Sequence, residues 1–262
     1  FAKERQSYVV TTGTGSGKSL CFFIPIIDAA IRAKKAGGGA KTRAIVIYPM
    51  NALANSQAKE LEGYLGSATG GLVTYARYTG QESAEDRELI KANPPDILLT
   101  NFMMLELLMT RQSDLDRKVL QNCEGLQFIV LDELHTYRGR QGADVAMLMR
   151  RLRSRIGDPK SPPLCIGTSA TMASEGAQHE KNEAVARIAS QIFGADIGPD
   201  AVVTETLKRV TNPLKLGGKS LPGLSEAVQA ASQGNVAQGR KNSDFFDDPL
   251  AIWVETRIGL KN

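Results

Sequence analysis

The stretch TGTGSGKS, residues 12–19, limits what this chain can fold into more than any other. It lies between a strand-like run, YVVTT (8–12), and an apolar helical stretch, KSLCFFIPIIDAAIRAKKA (18–36). Strand, glycine-rich turn and helix in that order make a phosphate-binding loop. Gly13, Gly15 and Gly17 let the backbone curl so that its N–H groups converge on phosphate oxygens. The helix behind adds the positive end of its dipole. Lys18 reaches the outer phosphates, and the Ser19 hydroxyl suits Mg2+. Thr12 stands where the common pattern has its first glycine. Thr12, Gly13, Thr14, Gly15, Ser16, Gly17, Lys18 and Ser19 are therefore the candidate phosphate-holding residues.

A loop of this kind needs an α/β sheet around it, and the rest of the chain supplies one. Strand-like runs at 43–49, 71–78, 96–100, 126–132 and 163–171 alternate with helical patterns at 51–65, 83–93, 102–110 and 143–156. Continuous apolar runs imply strands buried on both faces, and the alternation implies right-handed crossovers. The expected fold is α/β, a doubly wound, mostly parallel sheet, over residues 1–195. Its first strand starts almost at once, which suggests a longer protein upstream. Residues 196–262 are expected to be a partly helical connector: 216–244 is rich in Gly, Ser, Gln and Ala, and 245–260 regains aromatics.

A second motif sits at VLDELHTYRGRQGAD, residues 130–144. An Asp at the end of an apolar strand can hold Mg2+, and the Glu beside it can orient and deprotonate water. Asp132 and Glu133 fit those roles; read without the upstream loop, they fit an exposed acid pair as well. His135 and Arg138 follow, and Arg138 reads either as a brace for the loop or as a nucleic-acid contact. Arg150, Arg151, Arg153 and Arg155 read as a solvated helix face, MMLELLM (103–109) as core, and His179 as a solvated helix residue.

Composition excludes several classes. Lys+Arg is 32 against Asp+Glu 28, a mildly basic balance compatible with a nucleic-acid partner. The three cysteines are scattered and form no CxxC pair, so neither a zinc site nor a disulfide framework is indicated. No apolar run approaches the roughly 20 residues that span a bilayer.

TGTGSGKS, DELH and SAT (169–171), in that order, resemble motifs I, II and III of superfamily 2 DExH/DEAD-box helicases, in their first RecA-like motor domain. YPMNALANSQAKEL (48–61), YTG (78–80) and LLTN (98–101) are similar to the intervening motifs. DELHTYRG followed by a helix resembles the Lhr-like and MrfA-like branch, helicases of repair or phage defence in bacteria and archaea. The resemblance implies ATP and Mg2+ at residues 12–19, with Ser19 and Asp132 on the metal and Glu133 on the water. It implies that His135, Ser169, Ala170 and Thr171 couple the nucleotide to the strand, and that Pro49, Asn51, Thr79, Gly80, Thr100 and Asn101 face the nucleic-acid backbone. It further implies DNA in preference to RNA, a cytoplasmic setting, and a second RecA-like domain elsewhere in the parent chain. The function so implied is ATP-driven strand translocation or unwinding. The alternatives are a double-strand translocase that does not unwind and a silent nucleic-acid clamp.

Overall fold

A computed structural model describes residues 4–13, 17–170, 178–205, 210–212, 214, 221–233 and 245–259. The chain divides into two compact units, Phe1–Glu205 and Thr206–Asn262.

The first unit is built on a seven-stranded, all-parallel sheet in the order β3-β4-β2-β5-β6-β1-β7. The strands are β1 (Tyr8–Thr11), β2 (Ala44–Tyr48), β3 (Tyr75–Tyr78), β4 (Ile97–Asn101), β5 (Phe128–Leu131), β6 (Leu164–Ser169) and β7 (Val202–Thr204). The helices of this unit are α1 (Lys18–Lys35), α2 (Asn51–Thr69), α3 (Ala84–Ala92), α4 (Phe102–Thr110), α5 (Asp114–Gln121), α6 (Gly139–Ile156) and α7 (Gln178–Phe193). Every residue of β1, β2, β4, β5 and β6 is buried. The uninterrupted apolar runs reflect that two-sided burial.

Local chemistry explains several element details. Pro25 lies inside α1 and has no N–H to give the Cys21 carbonyl. The Tyr8 hydroxyl of β1 donates to that carbonyl at 2.6 Å, so the helix stays whole and is pinned to the strand that carries the phosphate loop. Helix α3 starts at a capping box, in which Ser83 and Asp86 satisfy each other's backbone N–H.

Two elements were not legible beforehand. Helix α5 comes from the polar-looking stretch DLDRKVLQ, capped by Ser113. Its Asp116 is buried because the Tyr78 hydroxyl (2.8 Å) and the Ser113 hydroxyl (2.6 Å) both donate to it. Strand β7 pairs with β1 in the register Thr11↔Thr204, so the sheet runs past the expected boundary at residue 195 and the unit closes at Glu205.

The arginine run of α6 is exposed as expected, apart from the half-buried Arg153, and it also makes hydrogen bonds to neighbouring helices. Arg150 donates to the Gln191 carbonyl at 2.9 Å, and Arg153 donates to the carbonyls of Phe193 and Gly194. Arg155 donates to the Met109 carbonyl at 2.9 Å, and Arg151 pairs with Glu106. These cations thus satisfy carbonyls at the C-terminal ends of α7 and α4, where the helix dipole is negative.

In the second unit, the described residues form α8 (Leu224–Ser232) and α9 (Pro249–Val254), the latter extended by a wider turn over Glu255–Gly259. The Glu255 carboxylate accepts from Val210 N (2.6 Å), Thr211 N (2.9 Å) and the Thr211 hydroxyl. Among the described residues no helix is long and apolar enough to cross a membrane.

Candidate functional site

Strand order sorts the motifs in space. The loops after β1, β5 and β6, neighbours in the sheet, carry TGTGSGKS, DELH and SAT. The loops after β2, β4 and β3, also neighbours, carry Pro49–Asn51, Asn101 and Thr79–Gly80. Along the chain the two groups interleave; at the C-terminal edge of the sheet they separate into halves. Ligands bind at that edge in open α/β sheets. The seam lies between β5 and β2, where Asp132 N donates to the Ile47 carbonyl at 3.0 Å.

In the first half, Thr12 N continues the strand by donating to Ser169 O at 3.3 Å. Gly13 N donates to the Glu205 carboxylate at 3.0 Å. Thr14, Gly15 and Ser16 lie outside the described residues. Gly17 takes φ +74°, a left-handed conformation that glycine adopts freely, and α1 begins at Lys18. The Lys18 ammonium is buried and donates to Thr12 O at 3.0 Å, with Gly13 O and Ser169 O each at 3.5 Å. Ser19 sits half-buried in the first turn of α1.

The acid pair is organised by a residue that sequence reading missed. The Thr168 hydroxyl donates to Asp132 Oδ1 and accepts from Glu133 N at 3.1 Å. Thr168 is fully buried, one register step beyond the β5–β6 pair Leu131↔Gly167. Its sequence signal is a hydroxyl immediately ahead of SAT, at the end of a largely apolar strand. Burial raises the Asp132 carboxyl above its usual range, and Glu133 adds to this, while the Thr168 hydrogen bond and Lys18 oppose it. Glu133 has φ 54°, ψ 53°, a left-handed conformation rare for a residue with a side chain. Such strain persists where surroundings impose it, and commonly at functional sites.

His135 Nδ1 stands 3.1 Å from Glu133 Oε2, 3.3 Å from Ala170 N and 3.4 Å from the Ser169 hydroxyl. One nitrogen cannot serve both ends. Protonated, it donates to Glu133; unprotonated, it accepts the Ala170 N–H. The structure thus brings His135, Ser169 and Ala170 together with Glu133, while Thr171 lies outside the described residues. Arg138 is exposed at the start of α6, and among the described residues its guanidinium braces nothing. Tyr48 and Tyr137 are buried with hydroxyls that have no partner among the described residues. Burial foremost, then the Asp132 charge, pushes both hydroxyls upward, so they stay neutral.

Gly167 makes room for the turn that carries the pair. A Cβ there would lie 2.3 Å from Leu134 Cδ1, in the turn Leu134–Thr136. Gly167→Ala is expected to cost about 1–2 kcal/mol of stability through overpacking, read as a lower denaturation midpoint. An unchanged midpoint would show that Leu134 has a free alternative rotamer.

In the second half, Asn101 ties three motifs together. Its Nδ2 donates to Asn51 Oδ1 and to Thr79 O (3.1 Å), and its Oδ1 caps α4 by accepting from Met104 N at 2.7 Å. Glu82 accepts from Thr79 N (2.7 Å), the Thr79 hydroxyl (2.8 Å) and Gly80 N (2.9 Å). Burial opposes its charge, but these hydrogen bonds outweigh burial and hold its carboxyl below the ordinary value. Pro49, Asn51, Thr79, Gly80 and Asn101 line a cleft of about 550 Å3. Thr100 does not join them: it is fully buried, and its hydroxyl donates to Tyr78 O at 2.6 Å. The alternation of side chains along β4 turns it away from the expected face.

Burial pushes the Cys123 thiol up to about 12 and the Cys165 thiol up to about 11, as expected of inert core cysteines. Among the described residues no three His, Cys, Asp or Glu side chains gather as a metal site. Mg2+ needs no such cage; it commonly takes one or two carboxylates plus phosphate oxygens and water.

A parallel sheet with a phosphate loop on one strand and an acid pair two strands away has the layout of nucleoside-triphosphate-hydrolysing domains. Comparison with known proteins narrows that class. The chain belongs to the DEAD/DEAH box helicase family, which residues 2–179 match. It is 32% identical over 173 residues to the uncharacterized ATP-dependent helicase YprA of Bacillus subtilis (strain 168), covering 66% of this chain and 22% of that protein. It is 29% identical over 275 residues to the Lhr helicase/uracil glycosylase of Escherichia coli (strain K12), covering 99% of this chain and 16% of that one. The chain therefore spans about a fifth or less of these curated relatives. Among solved structures it resembles the DUF1998 helicase MrfA bound to DNA, with TM-score 0.61 and 27% identity over 78% of this chain and 26% of that one. Helicase Lhr of Mycobacterium smegmatis, bound to ssDNA and AMP-PNP, shares the fold with TM-score 0.61 at 23% identity, over 88% of this chain and 29% of that one.

Proposed function

We propose that this chain is the ATP-hydrolysing motor unit of a helicase that moves along or unwinds DNA. The observation that carries the proposal is the sheet edge itself, with nucleotide motifs on β1, β6 and β5 beside strand motifs on β2, β4 and β3.

In this reading, residues Thr12 to Ser19 hold the triphosphate. Lys18 exchanges its loop carbonyls for phosphate oxygens. Asp132 and Ser19 fit Mg2+: Asp132 is a carboxylate at the end of β5 whose burial disfavours its charge, and Ser19 offers a hydroxyl in the first turn of α1. When bound, that ion neutralises charge on the phosphates. Glu133 orients the attacking water and takes its proton, with His135 Nδ1 3.1 Å from its Oε2. The proton then sets whether His135 holds Glu133 or Ala170, which links hydrolysis to SAT. Asn51, Thr79, Gly80, Asn101 and Pro49 present the strand-facing surface, with Thr100 supporting it from behind. Contacts of this type grip the backbone without reading sequence.

We place a second RecA-like domain opposite this edge, supplying an arginine worth roughly 10³–10⁵ in rate. We assign the protein to the cytoplasm of a bacterial or archaeal cell and to repair or phage defence, as its resemblance to the Lhr-like and MrfA-like branch implies.

The test uses the longest natural chain that contains these residues. ATP hydrolysis stimulated by single-stranded DNA, with ATP-dependent strand displacement, is the expected result. Triplex displacement without strand displacement would make it a double-strand translocase. DNA binding with no ATP hydrolysis would make it a silent clamp.

A further inference from the structure

One residue of the strand cleft comes from outside the strand motifs. Gln141, exposed in the first turn of α6, lines it together with Pro49, Asn51, Thr79, Gly80 and Asn101. Among the described residues no Lys or Arg lines this cleft, so what it offers a strand is neutral. Asn51 Oδ1 accepts from Asn101, which leaves the Asn51 side-chain N–H groups as donors. The Gln141 amide has no hydrogen-bond partner among the described residues and offers both donors and an acceptor. Side-chain amides are common partners of the phosphate and sugar oxygens of a nucleic-acid strand.

Gln141 also belongs to the segment that carries the water site. It stands eight residues after Glu133, and successive backbone hydrogen bonds join the two. Thr136 N donates to Glu133 O at 2.9 Å, Tyr137 N to Leu134 O at 3.1 Å, Arg138 N to Thr136 O at 3.1 Å and Gly142 N to Arg138 O at 3.2 Å. Leu134 and Tyr137 are buried along the way. Gly142 lets α6 start close against the turn, since a Cβ there would lie 2.7 Å from the Tyr137 carbonyl oxygen. A segment so short and so closely bonded has little slack, and rigid, hydrogen-bonded elements of this kind carry coupling between sites.

We propose that Gln141 is a strand contact, and that residues 133–141 pass strand occupancy to the glutamate that orients the water. This rests on the reading of the cleft as a strand site, and adds to it a route from strand to chemistry separate from His135 and SAT.

Binding of a single-stranded thymidine oligomer is measured across a range of salt concentrations, in the longest natural chain that contains these residues. Gln141→Ala should weaken binding about three- to tenfold, the scale of one hydrogen bond, with the salt slope unchanged, because a neutral amide releases no counterion. Gln141→Lys should steepen the log–log salt slope by about 0.7, the release from one added phosphate contact on a single strand. Met103→Lys, in the cleft, should steepen it likewise; Met147→Lys, exposed on α6 but outside the cleft, should not. In strand-stimulated ATP hydrolysis, Gln141→Ala should lower the maximal rate at saturating oligomer about fivefold. A residue that only grips the strand would raise the half-saturating concentration and leave that maximum alone. Steepening by Met103→Lys but not by Gln141→Lys, or equal steepening by Met147→Lys, overturns the Gln141 contact and leaves the strand cleft standing. An unchanged maximal rate in the alanine variant overturns the route to Glu133. Steepening by neither cleft lysine, or no binding of the oligomer, overturns the strand cleft and the inference together.

Discussion

Glu133→Gln is expected to lower ATP hydrolysis by about 10²–10⁴-fold, the range for removing a general base. Nucleotide affinity should stay within about twofold, because no phosphate-loop contact is touched. The expectation follows from the way Glu133 is held. Its backbone sits at φ 54° and its N–H is fixed by the Thr168 hydroxyl at 3.1 Å, so the carboxylate has a set direction. Its Oε2 has His135 Nδ1 at 3.1 Å, which orients the carboxylate further. Glutamine keeps the shape and the backbone but has no basic oxygen pair. Single-turnover hydrolysis in the longest natural chain containing these residues, beside equilibrium nucleotide binding, separates chemistry from affinity. A variant that hydrolyses within about threefold of the parent would remove Glu133 from the proton transfer.

The turn from β1 into α1 was readable because its residue types are dictated by backbone geometry. Gly17 is left-handed directly ahead of Lys18, a conformation that the glycine there allows. The all-parallel sheet was readable because two-sided burial leaves continuous apolar runs. What stayed hidden depends on pairing across the sheet. The chain order interleaves nucleotide and strand motifs, and only the order β3-β4-β2-β5-β6-β1-β7 separates them. Thr100 was read together with Asn101 as facing the strand; Asn101 lines the cleft, but a single step along β4 reverses the face and buries Thr100. The α6 arginines are exposed as read, but their main-chain carbonyl partners are something no sequence pattern reports. Strand β7 is three residues long and lies at the sheet edge, too short for its pattern to stand out.

Thr168 is the hidden residue with the largest expected consequence. Thr168→Val keeps the shape of the side chain and removes the hydroxyl that serves both acids. Asp132 then loses its hydrogen-bond donor while still buried, and the Glu133 N–H loses its acceptor. Leaving such buried groups unsatisfied costs about 1–3 kcal/mol of stability. Hydrolysis should fall about 10²-fold, since the base is no longer held and a misplacement near 1 Å is enough for that loss. The pH profile gives a readout that simple destabilisation does not. Asp132 is already raised by burial, and the Thr168 hydrogen bond opposes that rise. Without it the ionised form is less favoured, so the carboxyl climbs further and the acid limb of the rate profile moves to higher pH. Thr168→Ser retains the hydroxyl and should restore both the rate and the position of the limb. If the valine variant is slow but its acid limb stays where the parent's lies, Thr168 supports the strand alone, and the direction of Glu133 must come from its left-handed backbone.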